Sequence, residues 1–170
     1  MCMNRQLFVS GMGGQGVLFA TRVIAQAAVE AHLQVLTSET HGMAQRGGTV
    51  ISMIKIGDFR SPLLRRGQAD VGLFLHAGNL EVHRCLLKPG GRMVVNSPAA
   101  DIDAAIDASA LARRQGNPVL ANLILLGHAV RRTPWFCSPE AMERVIRNLS
   151  RGPFAAANLA AFRLGFDFGY

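Results

Sequence analysis

The sequence predicts a three-layer α/β/α domain with a mostly parallel sheet that admits an antiparallel strand. Three observations carry this. A short apolar run closes on a glycine cluster and passes directly into a helix-spaced segment. Strand-like runs then alternate with helical or turn segments through the first two thirds of the chain. The final third is helical, and alternation of this kind implies a sheet with helices packed on its faces. At 170 residues the chain is expected to form one domain, 1–170, with one sizeable core.

Gln6 to Ser10 is short and apolar and ends at Gly11, the pattern of a buried strand. Gln15 to Ala31 follows, with Val17, Leu18, Val23, Ile24, Ala27 and Ala28 at helical spacing. Leu33 to Thr37 predicts a second strand, and Ser38 to Gly48 a loop or a short helix with loop ends. Thr49 to Ile56 is rich in β-branched residues and stops at Gly57-Asp58. No helix of clear periodicity separates it from its predecessor, so an irregular or antiparallel connection is expected there. Val71 to Leu75 is a further apolar run. Asn79 to Leu87 predicts a helix stopped by Lys88-Pro89-Gly90-Gly91, and Arg92 to Asn96 a strand. Ala104 to Asp107 predicts a short strand and Ser109 to Gln115 a short helix. Helices are expected over Pro118–Arg131, Pro139–Leu149 and Ala155–Leu164. Ser138-Pro139-Glu140 supplies an N-cap, a proline at the first helical position and an early acid.

Hydrophobic residues at 49% and charged residues at 17% exclude a disordered chain. The length leaves no room for a cofactor domain beside a separate substrate domain. All but two of the 18 basic residues are arginine, the exceptions being Lys55 and Lys88, and the net charge is +7. The arginines are scattered and aromatics are only 6%, so no nucleic-acid partner is indicated. They form either a biased surface or a site for acidic or phosphorylated ligands. Cys2, Cys85 and Cys137 are widely spaced, with no Cys-x-x-Cys. This chain alone is therefore not expected to hold an iron–sulfur cluster or a structural zinc. Lone thiols, the absence of a signal-peptide pattern and a longest apolar stretch (Pro118 to Val130) too short to span a bilayer predict a cytoplasmic protein with no membrane association.

Two constellations carry chemistry. Gly11-Met12-Gly13-Gly14-Gln15-Gly16 fits G-x-G-x-x-G between a strand and a helix, where backbone amides and a helix N-terminus can meet an anion. The same glycines can instead serve only a tight turn and close packing. A nicotinamide cofactor would need an acid about 20 residues on, and Glu39 falls late. Ser38 to Gly48 should leave the same carboxyl edge, where open α/β sheets bind ligands. Its Arg46 can offer a bidentate fork, and Gly47-Gly48 permits close approach. An ordinary turn with a surface arginine is the other reading.

With GMGGQGV, SETHGMAQRGGTV, ISMIKIGD, SPLL, GQADVGLFLHAGNLEVHRCLLKPGGRMVVNS, ANLILLGHAV and AAANLAAFRLG, the chain resembles the gamma-type subunit of 2-oxoacid:ferredoxin oxidoreductases over roughly residues 5 to 165. The HGMAQRGG form is most similar to the small subunit of the indolepyruvate branch. His76-Ala77 departs from the more acidic or polar pair of many members. The resemblance implies a subunit of a complex that converts a 2-oxoacid to an acyl-CoA and passes electrons to ferredoxin. Thiamine diphosphate and iron–sulfur clusters would then reside in other chains, and this chain, inactive alone, would help form the coenzyme A approach. The residues implied are Gly11, Gly13, Gly14, Gln15, Gly16, Gln45, Arg46, Gly47 and Gly48, with no catalytic residue of its own. Thiamine diphosphate-binding and ferredoxin-type chains would be its partners, with room for a homodimer of the isolated chain. The rivals are a stand-alone dinucleotide-binding module and an assembly subunit without ligand contact.

Other residues read as structural. Glu81 and His83 do not share a helical face, so with His76 they make a poor metal site. Asp101, Asp103 and Asp107 suit solvated turns. Asn122 and Asn158 would satisfy buried backbone or bridge helices, or else face a partner. Trp135-Phe136 is either a core plug or an anchor for a partner.

Overall fold

A computed structural model of the chain describes residues 3–41, 48–99 and 104–169. Among the described residues, six strands form one sheet: β1 (Arg5–Met12), β2 (Val35–His41), β3 (Thr49–Ile56), β4 (Ala69–Phe74), β5 (Leu87–Asn96) and β6 (Ala105–Ile106). Their order is β2-β3-β1-β4-β5-β6. β3 is antiparallel to both β1 and β2, whereas β1–β4, β4–β5 and β5–β6 are parallel pairs. The irregular connection anticipated before Thr49 is this reversal of β3.

The helices are α1 (Val17–Glu30), α2 (Leu80–His83), α3 (Ala108–Arg114), α4 (Ala121–Arg132), α5 (Pro139–Leu149) and α6 (Phe154–Phe166). Leu7 and Val9 of β1 face the large core shared with α1, α4, α5 and α6. Phe8, on the opposite pleat, joins a smaller cluster with Phe74, Leu64 and Leu86. The third layer is therefore thin, formed by α2 with its flanking turns and the segment reaching Leu64. Phe8 and Phe74 meet edge to face at 5.3 Å within it.

Three local expectations change. Ser38–His41 belongs to β2 rather than to a loop, because pairing with β3 continues from Ser38↔Met53 to His41↔Val50. The helix expected over Asn79–Leu87 is broken. Only Leu80–His83 is α-helical, between the 3-10 turns Ala77–Asn79 and Arg84–Leu86. Lys88–Gly91 does not end a helix but bulges inside β5: Ala69 registers with Leu87, and Val71 already with Arg92. Gly90 takes the left-handed φ of 73° that this excursion needs.

Most of the remaining elements follow local chemistry. Ser138 accepts from the Ala141 N–H to start α5, and Asp107 accepts from Ala110 to start α3. The Asp107 side chain is thus a helix cap; Asp101 and Asp103 lie outside the described residues. Asn158 donates to Ser150 Oγ at 2.9 Å, tying α6 to the end of α5. Phe136 is buried, and Trp135 stacks on it against the large core, which favours the core-plug reading.

Helix α4 is the centre of the large core. Ten successive residues, Ala121 to Val130, are buried. That requires cover on its far side, which α6 supplies where Gly127 of α4 and Gly165 of α6 let the two backbones meet. A Cβ on Gly127 would stand 2.0 Å from the Phe162 carbonyl oxygen, and one on Gly165 would stand 1.8 Å from that of Ile124. The backbones therefore touch where side chains normally separate helices. No helix among the described residues is long and apolar enough to cross a membrane.

His128 sits inside this packing, 2% exposed, edge-on to Phe168 at 5.9 Å. Burial, aided by Arg132, holds its pKa below the ordinary 6.5 despite an opposing hydrogen bond from the ring to the Gly165 backbone. Burial lowers His83 likewise.

Two outcomes follow for stability. Gly165→Ala must push α6 off α4 and should cost about 3 kcal/mol or more, read as a drop in denaturation midpoint. Because both histidines bind protons more weakly folded than unfolded, stability should be full above pH 6.5 and decline as the pH falls below it. Urea titrations across that range would check the sign, and His128→Phe should flatten part of the slope.

Candidate ligand edge

The carboxyl ends of β1, β2 and β4 lie on one edge of the sheet, and the glycine loop sits there. Gly11 ends the buried part of β1. A Cβ on it would meet Gln15 Oε1 and Val17 Cγ2 at 2.9 Å and Leu75 Cβ at 3.0 Å. Gly14 and Gly16 take φ values of 94° and 78°, which favour glycine. Gly16 is the N-cap of α1, and a Cβ there would lie 2.2 Å from Asn122 Nδ2. Asn122 itself donates to the Gly16 carbonyl at 3.1 Å, so the start of α4 holds the start of α1. This bears out its reading as a satisfier of buried backbone.

Much of the loop's polar capacity is already engaged. The Met12 N–H donates to Gln15 Oε1 at 2.7 Å, and the Gln15 N–H to the Met12 carbonyl at 3.1 Å. The Gly13 N–H donates to the Gly48 carbonyl at 2.9 Å. Gln15 Nε2 reaches the Leu75 carbonyl at 3.3 Å, which ties the loop to the end of β4. Among the described residues, the amides of Gly14 and Gly16 have no acceptor. Gly48, the described end of the second glycine segment, thus meets the first loop through one backbone hydrogen bond. Gln45, Arg46 and Gly47 lie outside the described residues; Gly48 is half-buried beside the first loop.

Two clefts flank this loop. One, of about 380 Å³, runs between Gly14 and Gln15 on one side and Ser109, Arg113, Pro118 and Val119 on the other. Its lining joins apolar side chains to one guanidinium, which suits a ligand with an apolar arm and an anionic group. The second, of about 400 Å³, lies between Met12–Gly14, Leu18 and Val50.

Beneath the edge runs a polar network absent from the sequence-level site. Asn79 Nδ2 donates to Ser10 Oγ at 2.9 Å and to the Gly11 carbonyl at 3.0 Å. Ser10 Oγ lies within hydrogen-bond distance of His83 Nδ1, at 2.8 Å, and burial lowers the pKa of that ring. Asn96 donates to the Leu75 carbonyl at 3.0 Å and to Ser109 Oγ at 2.7 Å, and accepts from the Ser109 N–H at 3.1 Å. The available signal for the first group was Ser10, a polar residue inside an apolar strand. Nothing local marked Asn96 or Ser109, which meet only through the β5–β6 pairing.

Among the described residues, no three of His, Cys, Asp and Glu converge as metal ligands. Burial pushes the Cys137 thiol up to about 11, so it offers little thiolate near neutrality. Glu39 lies in β2, and β3 separates that strand from β1. Two strand spacings, about 9–10 Å, therefore stand between Glu39's strand and the strand feeding the glycine loop. A dinucleotide module places its ribose-binding acid on the strand next to the first, so that rival is not favoured.

An α/β domain with a glycine loop and two clefts on the carboxyl edge is the class that fold and site define. The chain belongs to the pyruvate ferredoxin/flavodoxin oxidoreductase family, whose sequence model matches residues 6–168. It is 32% identical to indolepyruvate oxidoreductase subunit IorB of Pyrococcus horikoshii, covering 94% of this chain and 93% of that one. The IorB subunit of Archaeoglobus fulgidus is 29% identical, with 97% and 95% covered. The crystal structure of the gamma subunit of a keto/oxoacid ferredoxin oxidoreductase from Geobacter sulfurreducens superposes with a TM-score of 0.79 at 29% identity, covering 95% of this chain and 96% of that one.

The Gly16–Asn122 contact can be tested alone. Gly16→Ala should destabilise by about 2–3 kcal/mol through the positive φ and the clash, and Asn122→Ala by about 1–2 kcal/mol through the lost hydrogen bond. The double variant should lose less than the sum, because removing the amide clears the clash. Additive losses in chemical denaturation would contradict that coupling.

Proposed function

We propose that this chain is the gamma-type subunit of a 2-oxoacid:ferredoxin oxidoreductase, and that its carboxyl edge forms part of the coenzyme A approach. The observation carrying the reading is the Gly13–Gly48 hydrogen bond, which joins the two glycine segments beside clefts on both sides. Family membership and the similarity to oxidoreductase subunits over nearly the full chain support it. The complex oxidises and decarboxylates a 2-oxoacid, forms an acyl-CoA and passes electrons to ferredoxin. Thiamine diphosphate and the iron–sulfur clusters are held by the partner chains, and the isolated chain is inactive. It works in the cytoplasm, and without its partners it can pair with a second copy.

In this reading Gly14 and Gly16 offer amides to an anionic group, while Gln15 fixes the loop against β4. Arg113 supplies positive charge from the cleft beside the loop, and Arg46 is assigned to the same anionic group. The chain's own contribution is binding and orientation, which act on the thioester-forming half of the reaction.

Arg46→Ala in the reconstituted complex is the test. A lost charged hydrogen bond is worth roughly 1.5–3 kcal/mol, or about ten- to a hundredfold in affinity. The Michaelis constant for coenzyme A should rise by that order, with that for the 2-oxoacid nearly unchanged. An assembled complex with unaltered coenzyme A dependence would remove this segment from the ligand site.

A further inference from the structure

At the amino edge of the sheet, opposite the glycine loop, a cavity of about 120 Å³ is lined by Arg5, Asp70, Lys88, Gly90, Arg92 and Pro134. Arg5 opens β1, Asp70 lies in β4, and Lys88 to Arg92 form the bulged part of β5. Three cations and one carboxylate surround this space.

The single carboxylate is already occupied. Asp70 Oδ2 accepts from the Gln6 N–H at 2.8 Å, and Oδ1 holds the Lys88 ammonium. Among the described residues, neither Arg5 nor Arg92 has a carboxylate within ion-pair distance. Arg5 Nε is buried and has no acceptor. That buried N–H without an acceptor is costly, and the half-buried Arg5 and the exposed Arg92 line one cavity with two unpaired guanidiniums. A water molecule would satisfy one N–H but leave the charge. A small oxyanion would do both, and guanidinium forks match its geometry.

We infer that this cavity binds a small oxyanion of the phosphate class between Arg5 and Arg92, with Lys88 at its rim. Its volume admits an inorganic ion or a terminal phosphoryl group but not a nucleotide. The β5 bulge makes the site: it inserts residues 88–91 between two registered positions, and Gly90 makes the turn that returns the chain to Arg92. A straight β5 would have no room for these residues. The site lies on the other edge from the proposed coenzyme A approach and does not depend on that reading.

The test is calorimetric titration of the full chain with inorganic phosphate at constant ionic strength, with chloride as the balancing salt. Melting curves should accompany each titration. One saturable site per chain is expected, with a melting temperature that rises with phosphate and not with chloride. Arg92→Gln should weaken binding at least tenfold while melting normally in chloride. Arg5→Gln, read the same way, guards against a misfolded first variant. Arg22→Gln, exposed on α1 and outside both sites, should leave binding unchanged. Glycerol phosphate in place of the free ion distinguishes the sources: tighter binding of either supports the site and identifies which form it takes. Phosphate and chloride acting alike, full affinity in both Arg92→Gln and Arg5→Gln, or loss of binding in Arg22→Gln would each overturn the inference.

Discussion

β3 runs against both of its neighbours, and the carboxyl edge is built around that reversal. In a sheet wound from parallel units, β1 would lie beside β2, and the first glycine turn would face the next loop across one strand spacing. Here β3 enters between them from the carboxyl edge. Its first residues therefore stand level with the last residues of β1, Thr49 opposite Met12. That register brings the Gly48 carbonyl to the Gly13 N–H. One strand direction thus joins two glycine segments 35 residues apart and also moves Glu39 away from the loop. The same constraint favours the subunit reading and disfavours the dinucleotide one.

The glycine loop is held more firmly than a simple phosphate cradle would be. Gln15 returns to the Met12 amide and on to Leu75, and Asn122 grips the Gly16 carbonyl. Those bonds shape the loop with the chain's own groups, which is what a preorganised surface needs. The Asn79–Ser10–His83 chain below it and the Asn96–Ser109 pair beside it extend that rigidity into β4, β5 and α3.

Local patterning carried most of the architecture. The Thr49–Ile56 strand and the Pro139–Leu149 helix fall where their β-branched run and their Ser-Pro-Glu start put them. What local patterning missed depends on partners far away in the chain. Ser38–His41 is polar and reads as a loop, yet an edge strand needs only one paired side and tolerates polar residues. Lys88-Pro89-Gly90-Gly91 reads as a stop signal. The structure absorbs it because β5 can pair again with β4 on the far side of the bulge. Of the site, the first glycine loop was legible because a strand and a helix bracket it. Arg113 and Ser109 were not, because they reach the cleft only when α3 packs beside the β4 end.

The α4–α6 contact bears on how freely this chain can vary. An overlarge side chain in a core can often be accommodated by trimming its neighbour. At Gly127 and Gly165 the atoms in the way are main-chain carbonyls, of Phe162 and Ile124. No substitution shortens a carbonyl. Relief would require the helices to separate, and α4 is covered by the sheet on one side and by α6 on the other. These two positions are thus closed to exchange by main-chain geometry itself, whatever surrounds them, while exposed positions such as Val82 and Phe154 can drift without disturbing the core.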